Sequence, residues 1–208
     1  MTWHSFSFGG HYDPTRTGYG PMVCHDEHLL GEGRGFDTHH HERLEIVTWV
    51  LSGALEHRDS TGSATVLRPG SVGLLSAGSG VEHSEIASAP QTRFVQVWLA
   101  AAPGAESRPP SYAVSPVPLV DGSFVEALRV ADVEQGPAVL SVARLDAGQE
   151  VVLPEGRLRH LFVASGALLR NSLAEPLVAG DAFEISDERG PVAVTAGVPT
   201  QLLLWSFA

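Results

Sequence analysis

Short apolar runs alternate with turn residues along most of the chain. Residues 45–51 (Glu-Ile-Val-Thr-Trp-Val-Leu) are rich in β-branched and aromatic side chains, and Ser52-Gly53 follows them directly. Residues 93–99 (Arg-Phe-Val-Gln-Val-Trp-Leu) have a similar composition, and Gly70 lies in a further turn, Arg68-Pro69-Gly70. Residues of this kind favour strands, and glycine beside polar residues favours turns. Because few segments have helical periodicity, the pattern predicts an all-β protein, either a sandwich or a barrel.

The order of these runs also predicts two domains. Residues 101–118 contain five prolines and little hydrophobic patterning, which is typical of a linker. Beyond it, Ser165-Gly166-Ala167-Leu168 repeats Ser52-Gly53-Ala54-Leu55. A weak repeat of this size indicates a duplicated β domain. We therefore expect one β domain over residues 1–108 and a second over residues 109–208.

Composition narrows the classes of function. The formal net charge is -11, with only 13 Lys and Arg residues, which argues against a surface for nucleic acid or anionic membrane. Cys24 is the single cysteine, so no intrachain disulfide forms and a reducing compartment is expected. The first residues lack the pattern of a secretory signal, and no run approaches the roughly 18 apolar residues of a membrane helix. We expect a cytoplasmic monomer without direct nucleic-acid or membrane contacts; its acidic composition permits protein partners but identifies none.

Two pairs of metal-ligating residue types, each spaced i, i+2, stand roughly forty positions apart: His39 with His41, and His83 with Glu85. Side chains alternate between the faces of a strand, so the members of each pair face the same way. If both pairs face the inside of one barrel, they form a site of three imidazoles and one carboxylate. Such donors suit Fe(II), Mn(II), Ni(II), Zn(II) or Cu(II), and four protein ligands leave room for water or substrate.

The same residues allow a plainer interpretation, in which residues 39–42 form a solvated loop and His83 and Glu85 make local hydrogen bonds. The matched spacing beside turn glycines favours the metal site. Residues 41–45 (His-Glu-Arg-Leu-Glu) resemble a zincin helix but have Glu45 in place of the second histidine. No Gly-x-Ser-x-Gly elbow is present, and Cys24 has no patterned partner, so nucleophilic hydrolysis is disfavoured.

The repeat shows no second set of ligands. The positions that match His39 to His41 are Val152, Leu153 and Pro154, and those that match His83 and Glu85 are Ala193 and Thr195. Nine of the ten histidines lie at or before residue 83. The sequence therefore predicts one metal, bound in the first half of the chain.

At these residues the chain resembles the pirin family of bicupins, most clearly over the first ~100 residues, judged as a motif match. The segment Ser76-Ala77-Gly78-x-Gly80-x-x-His83-Ser84-Glu85 is strongly pirin-like, whereas general cupins place two residues between the glycine and the histidine of this motif. The other matching segments are Trp3-His4-Ser5-Phe6-Ser7-Phe8, Tyr12-Asp13-Pro14, His39-x-His41 with Glu45 and Val47-Thr48, and Glu56-His57-Arg58-Asp59-Ser60.

The resemblance implies tandem jelly-roll β-barrels, with one divalent transition metal in the N-terminal barrel and none in the second. By position its ligands are His39, His41, His83 and Glu85. We expect Fe(II), with Mn, Ni, Cu or Zn as alternatives. Relatives usually have proline where this chain has His40, which we expect to point away from the site.

Glu45 remains open as an alternative carboxylate. General cupins use the glutamate of their first motif as a ligand, and Glu45 shares strand parity with His39 and His41. It is therefore a candidate ligand, a partner of a ligand or a base. We expect Glu85 to be the ligand because its two-residue offset from His83 matches the pirin set.

Pirin-like proteins are associated with quercetin 2,3-dioxygenase activity, and some with transcriptional co-regulation through protein contacts. In the enzyme hypothesis the metal binds the 3-hydroxyl of a small aromatic substrate, and Glu85, or else Glu45, takes its proton. Phe36, Trp49 and Trp98 are candidates for a flat pocket, although all three are equally typical of a core. The alternatives are another enolisable or phenolic substrate, or a non-catalytic, metal-containing regulatory module.

Overall fold

The computed structural model describes residues 1–7, 10, 12–170 and 175–208, and over these residues the chain is built from strands and one short 3-10 helix, Ala105–Ser107. The fold is all-β, as predicted. Phe8, in the predicted N-terminal strand, lies outside the described residues. The strands are β1 (Thr2–His4), β2 (Met22–Leu30), β3 (Gly35–His41), β4 (Leu44–Ser52), β5 (Leu55–Asp59), β6 (Ala64–Leu67), β7 (Ser71–Ser76), β8 (Val81–Ala87), β9 (Thr92–Ala100), β10 (Ser111–Pro116), β11 (Phe124–Val130), β12 (Ala138–Leu145), β13 (Glu150–Val152), β14 (Leu158–Ser165), β15 (Ala182–Ser186), β16 (Ala193–Thr195) and β17 (Thr200–Phe207).

Two antiparallel sheets form the first unit. One has the strand order β1-β2-β9-β4-β7-β10, and the other has the order β3-β8-β5-β6. A buried apolar cluster joins the two sheets, because Val50 and Phe94 of the first pack with Leu55 and Leu67 of the second. These side chains are the inward members of the alternating runs that the sequence shows, and burying them stabilises the pair of sheets.

The second unit repeats this plan with fewer strands. Its larger sheet has the order β11-β12-β17-β14-β15, and β13 pairs with β16 in a small second sheet. Its core contains aliphatic side chains from both sheets, including Leu161, Leu204, Val151 and Val194. The sheet faces that enclose this core are apolar, in keeping with the predicted β duplication.

The chain divides into two compact units, Met1–Pro116 with Asp132–Glu134, and Val117–Ala131 with Gln135–Ala208. The first unit continues past residue 108 because β10 pairs along its length with β7. Helices of the length and apolar character needed to span a membrane are absent from the described part of the chain.

Candidate metal centre

Strand pairing assembles the candidate ligands on the sheet β3-β8-β5-β6. β8 lies between β3 and β5, and its His83 stands opposite His39 of β3. On the other side of β8, His57 of β5 stands opposite Glu85. Gly35 permits the close approach of β3, because a Cβ at this position would lie 2.0 Å from the carbonyl oxygen of Glu85.

The imidazoles of His39, His41 and His83 converge. Each offers a nitrogen that lies within 4.8 Å of the others, and the rings of His39 and His83 are 4.4 Å apart between centroids. The Nε2 atoms of His41 and His83 are buried and have no hydrogen-bond partner among the described residues. We call these residues the three-histidine group.

Two members of the three-histidine group, His41 and His83, have the protonation state that a metal requires. Burial, with the neighbouring imidazoles, lowers the pKa of His41 to about 4 and that of His83 to about 3. Both rings are therefore neutral at neutral pH and keep a lone pair for a metal. Buried nitrogens without partners normally cost free energy, and a bound ion would remove that cost. The residues present thus fit a divalent transition metal held by imidazole.

Hydrogen bonds to the second ring nitrogens orient the same group. His39 Nδ1 lies 2.7 Å from the carbonyl oxygen of Asp37, so it donates a proton there and leaves Nε2 as the ligand atom. His83 Nδ1 lies 3.5 Å from His57 Nδ1, and His57 Nε2 lies 3.0 Å from Asp59 Oδ2. Since Asp59 can only accept when ionised, His57 donates from Nε2 and accepts at Nδ1 from His83. This Asp59–His57–His83 chain leaves His83 Nε2 unprotonated, as metal binding requires.

Glu85 follows His83 by two residues on β8. Its carboxylate groups with His57 and His83, with all three ligand atoms within 4.8 Å of one another. Glu85 is 3% exposed, and burial raises its pKa to about 7, although Gln96 Nε2 donates to Oε2 at 2.6 Å and lowers it in part. A carboxyl that titrates near neutral pH suits proton transfer as well as metal ligation. That Glu85 is a ligand stays a prediction.

Glu45 lies in neither group of clustered ligands in the described structure. It belongs to β4 and stands opposite Ser76 of β7, whose hydroxyl donates to Oε2 at 2.5 Å. Burial raises its pKa, and Ser76 and Arg108 act in the opposite direction. Its role as an alternative base or ligand also stays a prediction. The extra imidazole, His40, is 56% exposed and lies 3.9 Å from a carboxylate oxygen of Glu42.

Several residues at the centre were not singled out by the sequence. His57 and Asp59 occur in a pirin-like motif at i, i+2 spacing on a predicted strand, which was a usable signal. Gln96 interrupts an apolar strand, and a buried polar side chain in such a strand normally has a specific partner. Tyr112 stacks on His57 with ring centroids 3.6 Å apart, but the prolines around it gave no signal of this contact.

A cavity of about 650 Å³ opens beside His39. Phe36 and Trp98 line it, whereas Trp49 is fully buried in the core. Of the three aromatic residues, two therefore line a cavity and one lies in the core. Gln96 also lines the cavity, and its Oε1 accepts a hydrogen bond from Trp98 Nε1 at 3.0 Å. We call this space the flanking cavity.

Both groups of clustered ligands found among the described residues lie in the first unit. In the second unit, β13 and β16 place Val152 opposite Ala193, and Thr195 opposite Glu150. Val152 is 54% exposed, so it points away from the core. That the second unit binds no metal stays a prediction.

Comparisons with known proteins show which sequences and folds this chain resembles. A family model described as Pirin matches residues 1–99. A Mycobacterium tuberculosis protein named "Putative quercetin 2,3-dioxygenase" is 38% identical over 98% of this chain and 86% of its own length. A "Pirin-like protein" of Caulobacter vibrioides is 32% identical over 97% of this chain and 89% of its own. The crystal structure of a bacterial pirin from Escherichia coli in complex with nickel(II) has a TM-score of 0.84, with 26% identity over 99% of this chain and 90% of that one.

Proposed function

The chain belongs to the pirin family, and from this premise we propose that it is a metal-dependent dioxygenase of quercetin-like flavonols or related phenols. The observation that carries the proposal is the three-histidine group. The Nε2 atoms of His41 and His83 are buried without a hydrogen-bond partner among the described residues, and His39 borders a cavity with aromatic walls. Relatives named as quercetin 2,3-dioxygenases support the reaction class.

The residues that would hold the metal are His39, His41 and His83, with Glu85 as the carboxylate ligand. We propose Fe(II) as the native ion, and Mn, Ni, Cu and Zn as alternatives; a pirin of Escherichia coli has been crystallised with nickel(II). When bound, such a metal supplies a Lewis acid that lowers the pKa of a coordinated hydroxyl, and a redox-active ion supplies the dioxygen chemistry. The overall change is cleavage of the flavonol heterocycle by dioxygen, with loss of carbon monoxide.

Glu85 is the proposed base for the substrate hydroxyl. In the metal-free protein, burial raises the pKa of Glu85 to about 7, and a carboxyl with a raised pKa is a stronger base than an exposed glutamate. Gln96 fixes the carboxyl through the 2.6 Å bond to Oε2, and Trp98 in turn fixes Gln96. A base held in this way keeps its orientation before the substrate arrives, which favours proton transfer.

The flanking cavity fits a flat ligand. Its volume of about 650 Å³ lies in the usual range for small-molecule sites, roughly 300–1,000 Å³. Phe36 and Trp98 place aromatic side chains in its wall, and aromatic side chains pack favourably against an aromatic ligand. His39 borders the same space, so a bound ring would reach the metal ligands from this side.

The test is anaerobic reconstitution with Fe(II), Mn(II), Ni(II) or Cu(II), followed by simultaneous measurement of oxygen uptake and carbon monoxide release on quercetin. We expect turnover with at least one metal and equal amounts of oxygen consumed and carbon monoxide formed. The His83→Ala variant serves as the control, because it lacks a metal ligand and should give neither. Tight metal binding without turnover, with every metal, would favour the non-catalytic regulatory module instead.

A further inference from the structure

A row of polar side chains crosses the inner face of the first unit's larger sheet. His4 of β1 stands opposite Asp26 of β2, Asp26 opposite Gln96 of β9, and Gln96 opposite Thr48 of β4. Directly paired residues of neighbouring strands project from the same face, at strand spacings of about 4.8 Å. The row therefore runs from the Gln96–Glu85 hydrogen bond outward to the edge strand β1.

Each interior member of the row is buried and has a polar partner. Gln96 Nε2 donates to Glu85 and to Thr48, so this end of the row belongs to the metal centre. At the other end, His4 Nδ1 lies 2.9 Å from Asp26 Oδ1, and the Asp26 side chain is 8% exposed. Burying a carboxylate costs free energy, and its hydrogen bonds offset only part of that cost.

The same pair lines the flanking cavity. His4 and Asp26 border it together with His39, Gln96, Phe36 and Trp98. A carboxylate has about four acceptor positions on its two oxygens, so Asp26 can hold His4 and still accept a further hydrogen bond. The cavity thus has a metal ligand at one side, aromatic walls, and a carboxylate–imidazole pair one strand beyond Gln96.

We propose that Asp26, positioned by His4, accepts a hydrogen bond from a ligand hydroxyl that is remote from the oxygen at the metal. This inference rests on the proposed function and makes it narrower: the preferred ligands are aromatic compounds with at least one hydroxyl beyond the enolic one. A buried carboxylate acceptor discriminates strongly, because a ligand without the hydroxyl leaves an acceptor position of Asp26 without a hydrogen bond.

The test compares two flavonols that share the metal-directed oxygens. Quercetin carries further ring hydroxyls, and 3-hydroxyflavone has only the 3-hydroxyl and the neighbouring ketone. Dissociation constants are measured by calorimetry, anaerobically, on protein loaded with Ni(II), so that binding is read without turnover. We expect Asp26→Asn to weaken quercetin binding by about 10- to 100-fold, the usual range for a hydrogen bond to a charged group. Binding of 3-hydroxyflavone should change by less than about twofold, within the usual error of additivity.

The matched control is Glu27→Gln, which removes the same charge from the next position of β2. Glu27 is paired with Arg93 and does not line the flanking cavity, so both flavonols should bind this variant as they bind the wild type. His4→Ala provides a second variant if Asp26→Asn does not fold; it should show the same selective loss for quercetin. Nickel content is measured for every variant. Neither His4 nor Asp26 belongs to the groups of clustered metal ligands found among the described residues, so the content should stay at one per chain.

Equal losses for both flavonols, or no loss for either, would overturn the proposal and leave the pair as an anchor of β1 to β2. If the wild-type protein binds nickel but neither flavonol, the proposed function fails, and this inference fails with it. Selective loss of quercetin binding, with nickel content unchanged, supports both.

Discussion

Replacing Asp59 by asparagine should put a proton on a metal-binding nitrogen without removing any ligand. Asp59 Oδ2 lies 3.0 Å from His57 Nε2, while Oδ1 accepts hydrogen bonds from Thr61 and from the Ser63 amide. Burial alone would raise the pKa of Asp59, but hydrogen bonds from Thr61, His57 and Ser63 lower it to about 2. The carboxylate is therefore ionised at neutral pH and accepts the His57 Nε2 proton.

In Asp59→Asn the side-chain oxygen can accept the hydrogen bonds from Thr61 and Ser63 that Oδ1 accepts in the wild type. The NH2 group of the asparagine then faces His57 Nε2. An amide donates, so His57 Nε2 must accept and its proton moves to Nδ1. His57 Nδ1 then donates to His83 Nδ1, and the His83 proton moves to Nε2, the atom that the metal needs. Loss of an outer partner of this kind typically costs 10- to 100-fold in metal affinity, about 1.4–2.7 kcal/mol.

The assay is competition for Ni(II) and Zn(II) against a chelating dye, together with ¹⁵N NMR of the histidine tautomers in metal-free protein. Thr61→Ala is the matched control. It removes the hydroxyl that donates to Asp59 Oδ1 at 2.6 Å but leaves the bond to His57, so its metal affinity should stay within about twofold of wild type. Wild-type affinity in Asp59→Asn, with His83 still protonated at Nδ1, would refute the Asp59–His57–His83 chain.

Three further predictions address the two carboxylates, the close approach of β3 to β8 at Gly35, and stability in acid. Glu85→Gln should weaken metal binding and abolish turnover, whereas Glu45→Gln should keep the metal and reduce activity by about 10- to 100-fold. The reverse pattern in assays of metal content and oxygen uptake would make Glu45 the ligand and base. Gly35→Ala should lower the free energy of unfolding in urea by about 2–4 kcal/mol, because its Cβ would meet the Glu85 carbonyl. Gly31→Ala, whose Cβ would lie 3.9 Å from the flexible Arg34 side chain, should be nearly neutral. Burial lowers the pKa of His160 from 6.5 to about 4, so the unfolded chain binds this proton more tightly. His160 should therefore lower the free energy of unfolding by up to about 3 kcal/mol as the pH falls from about 6.5 to 4. His160→Gln should flatten that part of the pH–stability curve. An unchanged slope would contradict the lowered pKa of His160.

Strand periodicity made part of the centre predictable. The i, i+2 spacing placed His39 with His41 and His83 with Glu85, since alternate side chains share a face. The register between β3 and β8 could not be predicted from strand periodicity. The ladder between β3 and β8 shifts between Phe36 and His39, and an irregularity of this kind leaves no clear mark in the residues themselves. Only the structure shows that His39 faces His83.

The expectation that Glu45 faces the same way as His39 and His41 fails at the turn that precedes Glu45. β3 ends at His41 and β4 begins at Leu44, and Arg43 between them has a φ of 54°. This left-handed residue turns the chain into the other sheet, so counting by two from His41 no longer fixes a face. Glu45 consequently meets Ser76, and the sequence could not distinguish this outcome from ligation.

The hydrogen-bond partners of the proposed metal ligands could not be predicted from the sequence, for a different reason. His57 meets Glu85 through the ladder of β5 with β8, whereas Gln96 of β9 reaches Glu85 from the other sheet. Long-range pairings of this kind are set by the whole core rather than by local preference. The flanking cavity depends on them too, because Phe36 and Trp98 come from different sheets.

The most direct test of the central claim is anomalous diffraction at the nickel edge from crystals of the Ni(II)-loaded protein. We expect one peak per chain, at about 2.0–2.2 Å from Nε2 of His39, His41 and His83, the usual range for imidazole and carboxylate ligands. Glu85 should supply an oxygen to the same ion. A second peak of equal height, or a single peak away from these three nitrogens, would contradict the account.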